Sequence, residues 1–488
     1  MSENDLRTER LKKLEILKER GIDPYPNTIP HTSTIAHFLE TFAEREQSGL
    51  QEHVSLAGRI MSLREHGGIM FADLFDGVRI QLVLRLEDLG DEVYNLFKET
   101  VDQGDFISAT GTAFTTKRGE RSLKVSSWTM ASKSLLPLPS EWFGIKDEET
   151  RFRQRYLDII LDSATRDVIE RRSAFWRTVR DFLLARNFLE VETPVLETEP
   201  GGADARPFVT HHNALNIDVY LRISAGELWQ KRLLVAGFEK VFEIGRIFRN
   251  EGMSHEHLQD YTQLEFYQAY SNMEEGMALV RDLYRTIAEK VYGTMQFTYR
   301  DHTVNLEGEW PTIDFCEQIK MHFGIDPLTC TDKEAVDAAE KAGIPLDAAA
   351  QNTPRIVDLM WKQIRKTISG PAFLVGVPVY LEPLAKRSPN NPKTVERFQV
   401  ILGGSEIGKG FSELNDPLDQ EKRFEHQQAL REAGDEEAQR MDRDYVEALE
   451  YGMPPAFGFG VSERLFSFFE NKSVRETQVF PLMRPKGE

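Results

Sequence analysis

The residues most able to do chemistry gather in one stretch, FEIGRIFRNEGMSHEHLQDYTQLEFYQAY, residues 242–270. It reads as two strands about a polar loop, and along a strand successive side chains point to opposite faces. One face carries Phe242, Ile244 and Phe248 on the first arm and Leu264 and Phe266 on the second. The other carries Glu243, Arg249 and Glu251, then Tyr261, Gln263, Glu265 and Tyr267. An antiparallel sheet with one face in water is common and would explain polar alternation. It does not explain tyrosines interleaved with glutamates. Arginine offers a planar fork for phosphate or carboxylate. Tyrosine offers a stacking plate or a hydroxyl, and a carboxylate such as Glu265 can seat a cation.

Other candidate chemistry carries less. GGSEIGKG (403–410) has the spacing of a phosphate-binding loop, but Gly410 stands where Ser or Thr would hold magnesium, and a strand-like run follows instead of a helix. His255 and His257 have no third ligand close by, so loop histidines or a phosphate contact fit better than a metal. His211 and His212 read as structural. The two cysteines, Cys316 and Cys330, make no C-x-x-C motif. They exclude a disulfide framework or thiolate zinc site, read as small core residues, and place the chain in a reducing cytoplasm.

The elements that must position these residues follow from periodicity. The chain has 488 residues, enough for several domains, and no apolar run long enough to span a bilayer. Residues 1–52 begin with an amphipathic helix stopped by Gly21 and Pro24. From Val54 the period becomes two. Five short strands with a helix after the third predict a closed OB-fold barrel over 53–136, a fold that binds single-stranded nucleic acid. The net charge of −19 opposes RNA binding, yet Lys117, Arg118, Arg121 and Lys124 make a local basic patch. Taken alone, that patch reads more readily as a solvated hairpin tip. Residues 137–150 read as a linker. Mixed strands and helices over 151–488 predict an antiparallel α+β domain. It holds a helix near 163–186, an inserted helical module about 301–354 with a TDKE capping box, and two charged helices over 416–452.

At this point the residues resemble a family. FRNEGMSHEHLQDYTQLEFY resembles motif 2 of the class II aminoacyl-tRNA synthetases, in the version carried by lysyl-tRNA synthetases. FLEVETPVL resembles motif 1, which usually builds a dimer interface, and GFGVSERLF resembles motif 3. PGGADARPFVTHHNAL and GSEIGKGFSELNDPLDQ are similar to stretches of the lysine enzymes. The resemblance covers nearly the whole chain and keeps motif order. It implies a lysine–tRNA ligase: ATP and Mg²⁺, lysine and tRNA(Lys) as partners, a homodimer, no membrane. Of the site residues, it implies Arg249 on the α-phosphate and the substrate carboxylate, Glu251 on the adenine amino group, and His257 near the terminal phosphates. Tyr261 and Arg464 would stack on the two adenine faces, and Glu406 would hold metal. For lysine it implies Glu227 and the backbone near Gly202 on the α-ammonium. Glu413 with Tyr267 and Glu265 would take the ε-ammonium, and Phe411 would line the channel. Phe71, Gln81 and Glu120 match positions that read the central anticodon uridine.

The chain departs from the family pattern in three places. Lys409 replaces an Asn that touches the substrate carboxylate, a contact a lysine can make as an ion pair. Gln399 replaces a magnesium-binding acid, and an amide is a poorer ligand. The segment before Glu227 is one residue longer than usual, and motif 3 is one shorter and lacks a Gly. Two alternatives follow: a synthetase for another amino acid, against which Glu413 and Glu265 speak, or a paralogue that keeps the fold and acts by binding RNA. A lysine pocket must neutralise a buried ammonium and therefore needs carboxylates, and Glu413 would repel aspartate.

Overall fold

Alternating apolar residues from Val54 onward wind into a closed barrel. In the computed structural model, which describes residues 3–47, 53–139, 145–346, 352–432 and 438–485, its strands are β1 (Val54–His66), β2 (Ile69–Phe75), β3 (Arg79–Arg85), β4 (Phe106–Thr115) and β5 (Arg121–Ser132). They close in the order β1-β2-β3-β5-β4, with β3 and β5 parallel. On β2, Met70, Ala72 and Leu74 point inward while Phe71 and Asp73 face out. The helix expected after β3 is broken at Gly90, whose φ of 78° suits glycine, and resumes as Asp91–Thr100. Tyr94 and Phe97 from that helix, and Leu17, Ile35, Phe38 and Phe42 from the first 47 residues, enter the barrel's core. Part of the stretch read as a linker, residues 140–144, lies outside the described residues.

The chain forms two compact units, Met1–Arg151 and Phe152–Glu488. The second unit is built on an eight-stranded sheet: β6 (Leu189–Glu190), β7 (Lys240–Phe248), β8 (Asp260–Ala269), β9 (Thr312–Asp314), β10 (Ala372–Val375), β11 (Arg397–Leu402), β12 (Ser405–Ser412) and β13 (Ala456–Ser462). The order is β9-β10-β11-β12-β13-β8-β7-β6, antiparallel except at its two edges. One face is apolar: Phe242, Leu264, Phe266, Phe457 and Phe459 pack with Phe175 and Val179 of the helix Ser163–Leu184 and with Tyr284 of Met273–Ile287. The opposite face carries the charges read in the sequence.

Local signals account for several details. Thr331 and Glu334 close both halves of the capping box on Asp332–Lys341. GGSEIGKG is the turn of the β11–β12 hairpin, with Gly403 and Gly404 at positive φ. The second charged helix starts only at Arg443, because Asp442 caps it by accepting from the Tyr445 N–H. The chain expected to begin it, residues 433–437, lies outside the described residues.

In the barrel unit one buried charge is fully paired. The Lys133 ammonium, wholly buried, donates to Asp102 at 2.6 Å, Asp105 at 2.7 Å and the Thr100 carbonyl at 2.8 Å. Removing one partner of such a cluster leaves an uncompensated buried charge. Lys133→Met is expected to destabilise the barrel by about 3–5 kcal/mol, read as a lower denaturation midpoint. A loss below about 1 kcal/mol would show that the carboxylates find other partners.

Candidate active site

Sheet register assembles the site. Across the polar face, Gln399 of β11 lies beside Lys409 of β12, then Gly460 of β13, Glu265 of β8 and Glu243 of β7. The next rung runs Arg397, Phe411, Gly458, Tyr267 and Val241. Directly opposed residues share a face and stand close. Residues scattered from 243 to 460 in sequence therefore become neighbours. Glycine on β13 is required: a Cβ at Gly458 would stand 2.1 Å from Glu413 Oε1 and 2.4 Å from the Tyr267 ring.

A cavity of about 460 Å³ opens on this face, lined by Gly202, Glu227, Arg249, Tyr261, Glu265 and Tyr267, and farther along by Gln399, Glu406, Lys409, Phe411 and Arg464. Glu251 and His257 sit in the adjoining loop and do not line it. Glu413 lies behind its wall with its side chain wholly buried. Glu243 belongs elsewhere: buried, it takes an ion pair from Arg222 and hydrogen bonds from the Thr193 N–H and hydroxyl, fastening the sheet to its flank.

The nucleotide-like end is cationic. Arg249, just past β7, donates Nε to the Ile223 carbonyl at 3.2 Å, and its guanidinium stands 5.8 Å from the centre of the Tyr261 ring. Arg464, at the start of the helix Arg464–Glu470, donates Nε to the Glu256 carbonyl at 2.9 Å. His257 shares a 2.7 Å hydrogen bond with the Ser254 hydroxyl. Burial, with Arg464 and Arg249 close by, pushes its pKa down to about 4, so it is neutral at pH 7.

The opposite end is anionic. Glu227 opens the helix Glu227–Val235, beneath Gly202, whose φ of +83° leaves no room for a side chain because a Cβ would stand 2.6 Å from the Ser224 hydroxyl. Glu265 accepts from the Ala225 N–H at 2.8 Å, the Tyr267 hydroxyl at 3.0 Å and the Gln263 amide. Burial and the Glu227 charge raise its pKa to about 7. Glu413 is raised to about 8, above all by burial; Lys231 opposes the rise, while Glu227 and Glu265 add to it.

The sequence reading missed Lys231. Its ammonium, buried, lies 2.7 Å from Glu227 Oε1 and 2.6 Å from Glu413 Oε2. Apart from that ion pair, neither Glu413 oxygen has a polar partner among the described residues. A buried acceptor left in that state calls for a donor from a ligand. The signal available in the sequence was the i, i+4 spacing of Glu227 and Lys231 on a helix.

Several of the predicted residues have internal partners. Lys409 lines the cavity, but its ammonium is held by Glu382 at 3.1 Å, which also takes Arg397 at 3.0 Å. A ligand carboxylate must compete with that internal pair. The amide oxygen of Gln399 accepts from Arg397, and Glu406 Oε1 accepts from the Trp361 indole at 2.7 Å. Among the described residues no three His, Cys, Asp or Glu side chains group to hold a metal. A lone Glu406 fits a Mg²⁺ that arrives on phosphates, since magnesium commonly takes one or two carboxylates together with substrate oxygens. It does not make a resident protein site.

In the barrel, Gln81 opposes Asp73 on β2 and Ser122 on β5, with Phe71 two residues from Asp73 and Glu120 exposed in the turn before β5. The three predicted residues thus share the outer face of β2, β3 and the β4–β5 turn.

Comparison with known proteins agrees with this arrangement. Residues 147–484 match the family of tRNA synthetases class II (D, K and N), and residues 54–131 match an OB-fold nucleic acid binding domain. The chain is 43% identical to the lysine–tRNA ligase of Moorella thermoacetica, over 100% of this chain and 99% of that one. It is 45% identical to that of Pelotomaculum thermopropionicum, over 99% and 96%. With the lysine–tRNA ligase of a Roseiflexus species it shares 43% identity over 100% of both chains.

Glu265 and Glu413 both hold a proton more tightly in the fold than in the unfolded chain. Their contribution to the stability of the ligand-free fold is therefore lost as pH rises through about 7 and about 8. The melting temperature without ligand is expected to fall from about pH 4.5 to about 8, and the stabilisation by a saturating ligand with two ammonium groups to grow over the same window. A stabilisation independent of pH would exclude these carboxylates as the receiving groups.

Proposed function

The chain belongs to the class II tRNA synthetases of the D, K and N group, and we propose that within it the chain activates lysine with ATP and transfers the lysyl group to tRNA(Lys). The observation that carries the choice of amino acid is the anionic end of the cavity. Three buried carboxylates, Glu227, Glu265 and Glu413, face one internal ammonium, Lys231. Aspartate would add a like charge there, and asparagine would leave the charges unpaired.

In this reading, lysine lies along the sheet rungs. Its α-ammonium sits at Glu227 and the Gly202 backbone. Its stem runs past Phe411, and its ε-ammonium meets the Glu413 carboxylate, with Tyr267 and Glu265 beside it. Its carboxylate reaches Arg249, whose guanidinium also steadies the α-phosphate. Tyr261 and Arg464 hold the adenine between them, Glu251 accepts from its amino group, and the neutral His257 donates a hydrogen bond toward the terminal phosphates. Glu406 would hold Mg²⁺ carried in with ATP, which neutralises phosphate charge.

A lysine carboxylate oxygen then attacks the α-phosphorus in line. The new P–O bond forms as the bond to the bridging oxygen breaks and pyrophosphate leaves. The protein supplies alignment and charge compensation, and needs no side-chain nucleophile. The terminal ribose hydroxyl of the tRNA next attacks the adenylate's carbonyl carbon, AMP leaves, and lysine is esterified to the tRNA. The barrel reads the anticodon with Phe71, Gln81 and Glu120, Phe71 by stacking. The chain pairs with a second copy through the segment containing Leu189, Val195 and Leu196, apolar side chains that are all exposed. It works in the cytoplasm, where tRNA is charged; among the described residues no helix is long and apolar enough to cross a membrane.

Arg249→Ala is expected to lower lysine-dependent ATP–pyrophosphate exchange by about 100-fold or more, a loss of roughly 3 kcal/mol of transition-state stabilisation. Near-normal exchange would refute the role. Phe71→Ala is expected to weaken tRNA charging while exchange stays at the wild-type rate, since about 1–3 kcal/mol of base stacking is lost. Loss of both activities together would remove the assignment of the barrel.

A further inference from the structure

Lysine is among the residues least often buried, and Lys231 is fully buried at the heart of the cavity wall. Packing alone does not require a charge there. The side chain runs between the rings of Phe411 and Tyr267, with its ammonium 5.2 and 5.8 Å from their centres, a setting that would accept methionine. What requires the charge is the company. Glu227 faces it from its own helix, and Glu413 from the chain just beyond β12. From β8 come Tyr267 and the neighbouring Glu265, and Tyr445 comes from the helix Arg443–Glu450. Asp442, next to that helix, is already taken by Arg232.

Geometry makes Lys231 a bridge. One turn beyond Glu227, it reaches from the carboxylate at one end of the amino-acid path to the carboxylate at the other. Resting on the proposed lysine site, we infer that Lys231 is the counter-ion that sets the charge of the cavity: by joining Glu227 to Glu413 it leaves the three carboxylates, once ionised around the substrate, with two net negative charges, the complement of a substrate with two ammonium groups. Without it the three carboxylates would hold their protons more tightly still, because like charges buried together do not all ionise. With it, a substrate carrying two ammoniums, its carboxylate on Arg249, brings the cavity to neutrality. A substrate carrying one ammonium leaves a buried charge unpaired, which discriminates strongly. Lys231 is a positioning residue: it acts on substrate through Glu227 and Glu413.

The test is pyrophosphate exchange by the full chain as a function of pH. Lys231→Met is expected to raise the KM for lysine at pH 7 about tenfold and to move the midpoint of the lysine KM–pH profile up by about one unit, since a tenfold change corresponds to one pKa unit. The KM for ATP is expected to stay at the wild-type value. An unchanged lysine KM and midpoint overturns the inference. So does a joint fall of kcat with both KM values altered and no shift of midpoint, which marks a packing residue. Should Lys231→Met not fold, the double variant Lys231→Met with Glu413→Gln removes one charge of each sign. It is expected to fold and to keep the wild-type KM for ATP, while its lysine KM rises because Glu413 itself receives the ε-ammonium. A double variant that also fails to fold overturns the inference. If the unaltered protein ignores lysine altogether, the lysine reading itself falls, a result distinct from all of these.

Discussion

An ionised carboxylate is not stable in an apolar wall without a partner. Three carboxylates are buried in or just behind the wall of this cavity, and the rest of the second unit is arranged around that constraint. Glu265 meets it with hydrogen bonds from Ala225, Gln263 and Tyr267. Glu227 shares Lys231 with Glu413, which has no other polar partner among the described residues. Under the proposed function, ionising all three leaves two negative charges that the two ammonium groups of lysine balance. Binding energy would in this way be concentrated on the groups that distinguish lysine from its acidic and amide relatives.

The scaffold that tolerates this is the antiparallel sheet. One face buries phenylalanines from β7, β8 and β13 against helices, so the strands cannot slip by a residue without turning every charge into the core. Register then fixes the opposite face, where Glu265 and Tyr267 lie two residues apart with Gly460 and Gly458 beside them. Gly458 lets the Glu413 carboxylate come up to the strand, an approach that a methyl group would close. Specificity for the amine end therefore depends on side chains that are absent as much as on those present.

Much of this was legible in the sequence because it is local. The period of two in 242–270 separates an apolar face from a polar one, and the structure keeps that separation. Five alternating segments with a basic turn read as a barrel, and Thr331 with Glu334 announce a helix start. What stayed hidden depends on partners brought together only by the sheet. Lys231 looks like one half of a surface helix pair until Glu413 arrives from another strand. Lys409 reads as a substrate ligand until Glu382 is found under it, and Gln399 reads as a weakened metal ligand until Arg397 is seen donating to it. A charge-bearing position can be recognised from its neighbours in sequence; the charge it answers to cannot.

The indole of Trp361 rests on Glu406, while its own helix, Thr353–Ile364, packs with Phe315–Phe323 and Asp332–Lys341 in one apolar cluster. The helical insert is therefore not a detachable ornament. Its packing is mechanically continuous with the aim of Glu406, an acidic side chain that lines the cavity. An exchange of this insert between related chains would transplant nucleotide handling along with it, so drift in a region remote from lysine can retune the first half of the reaction.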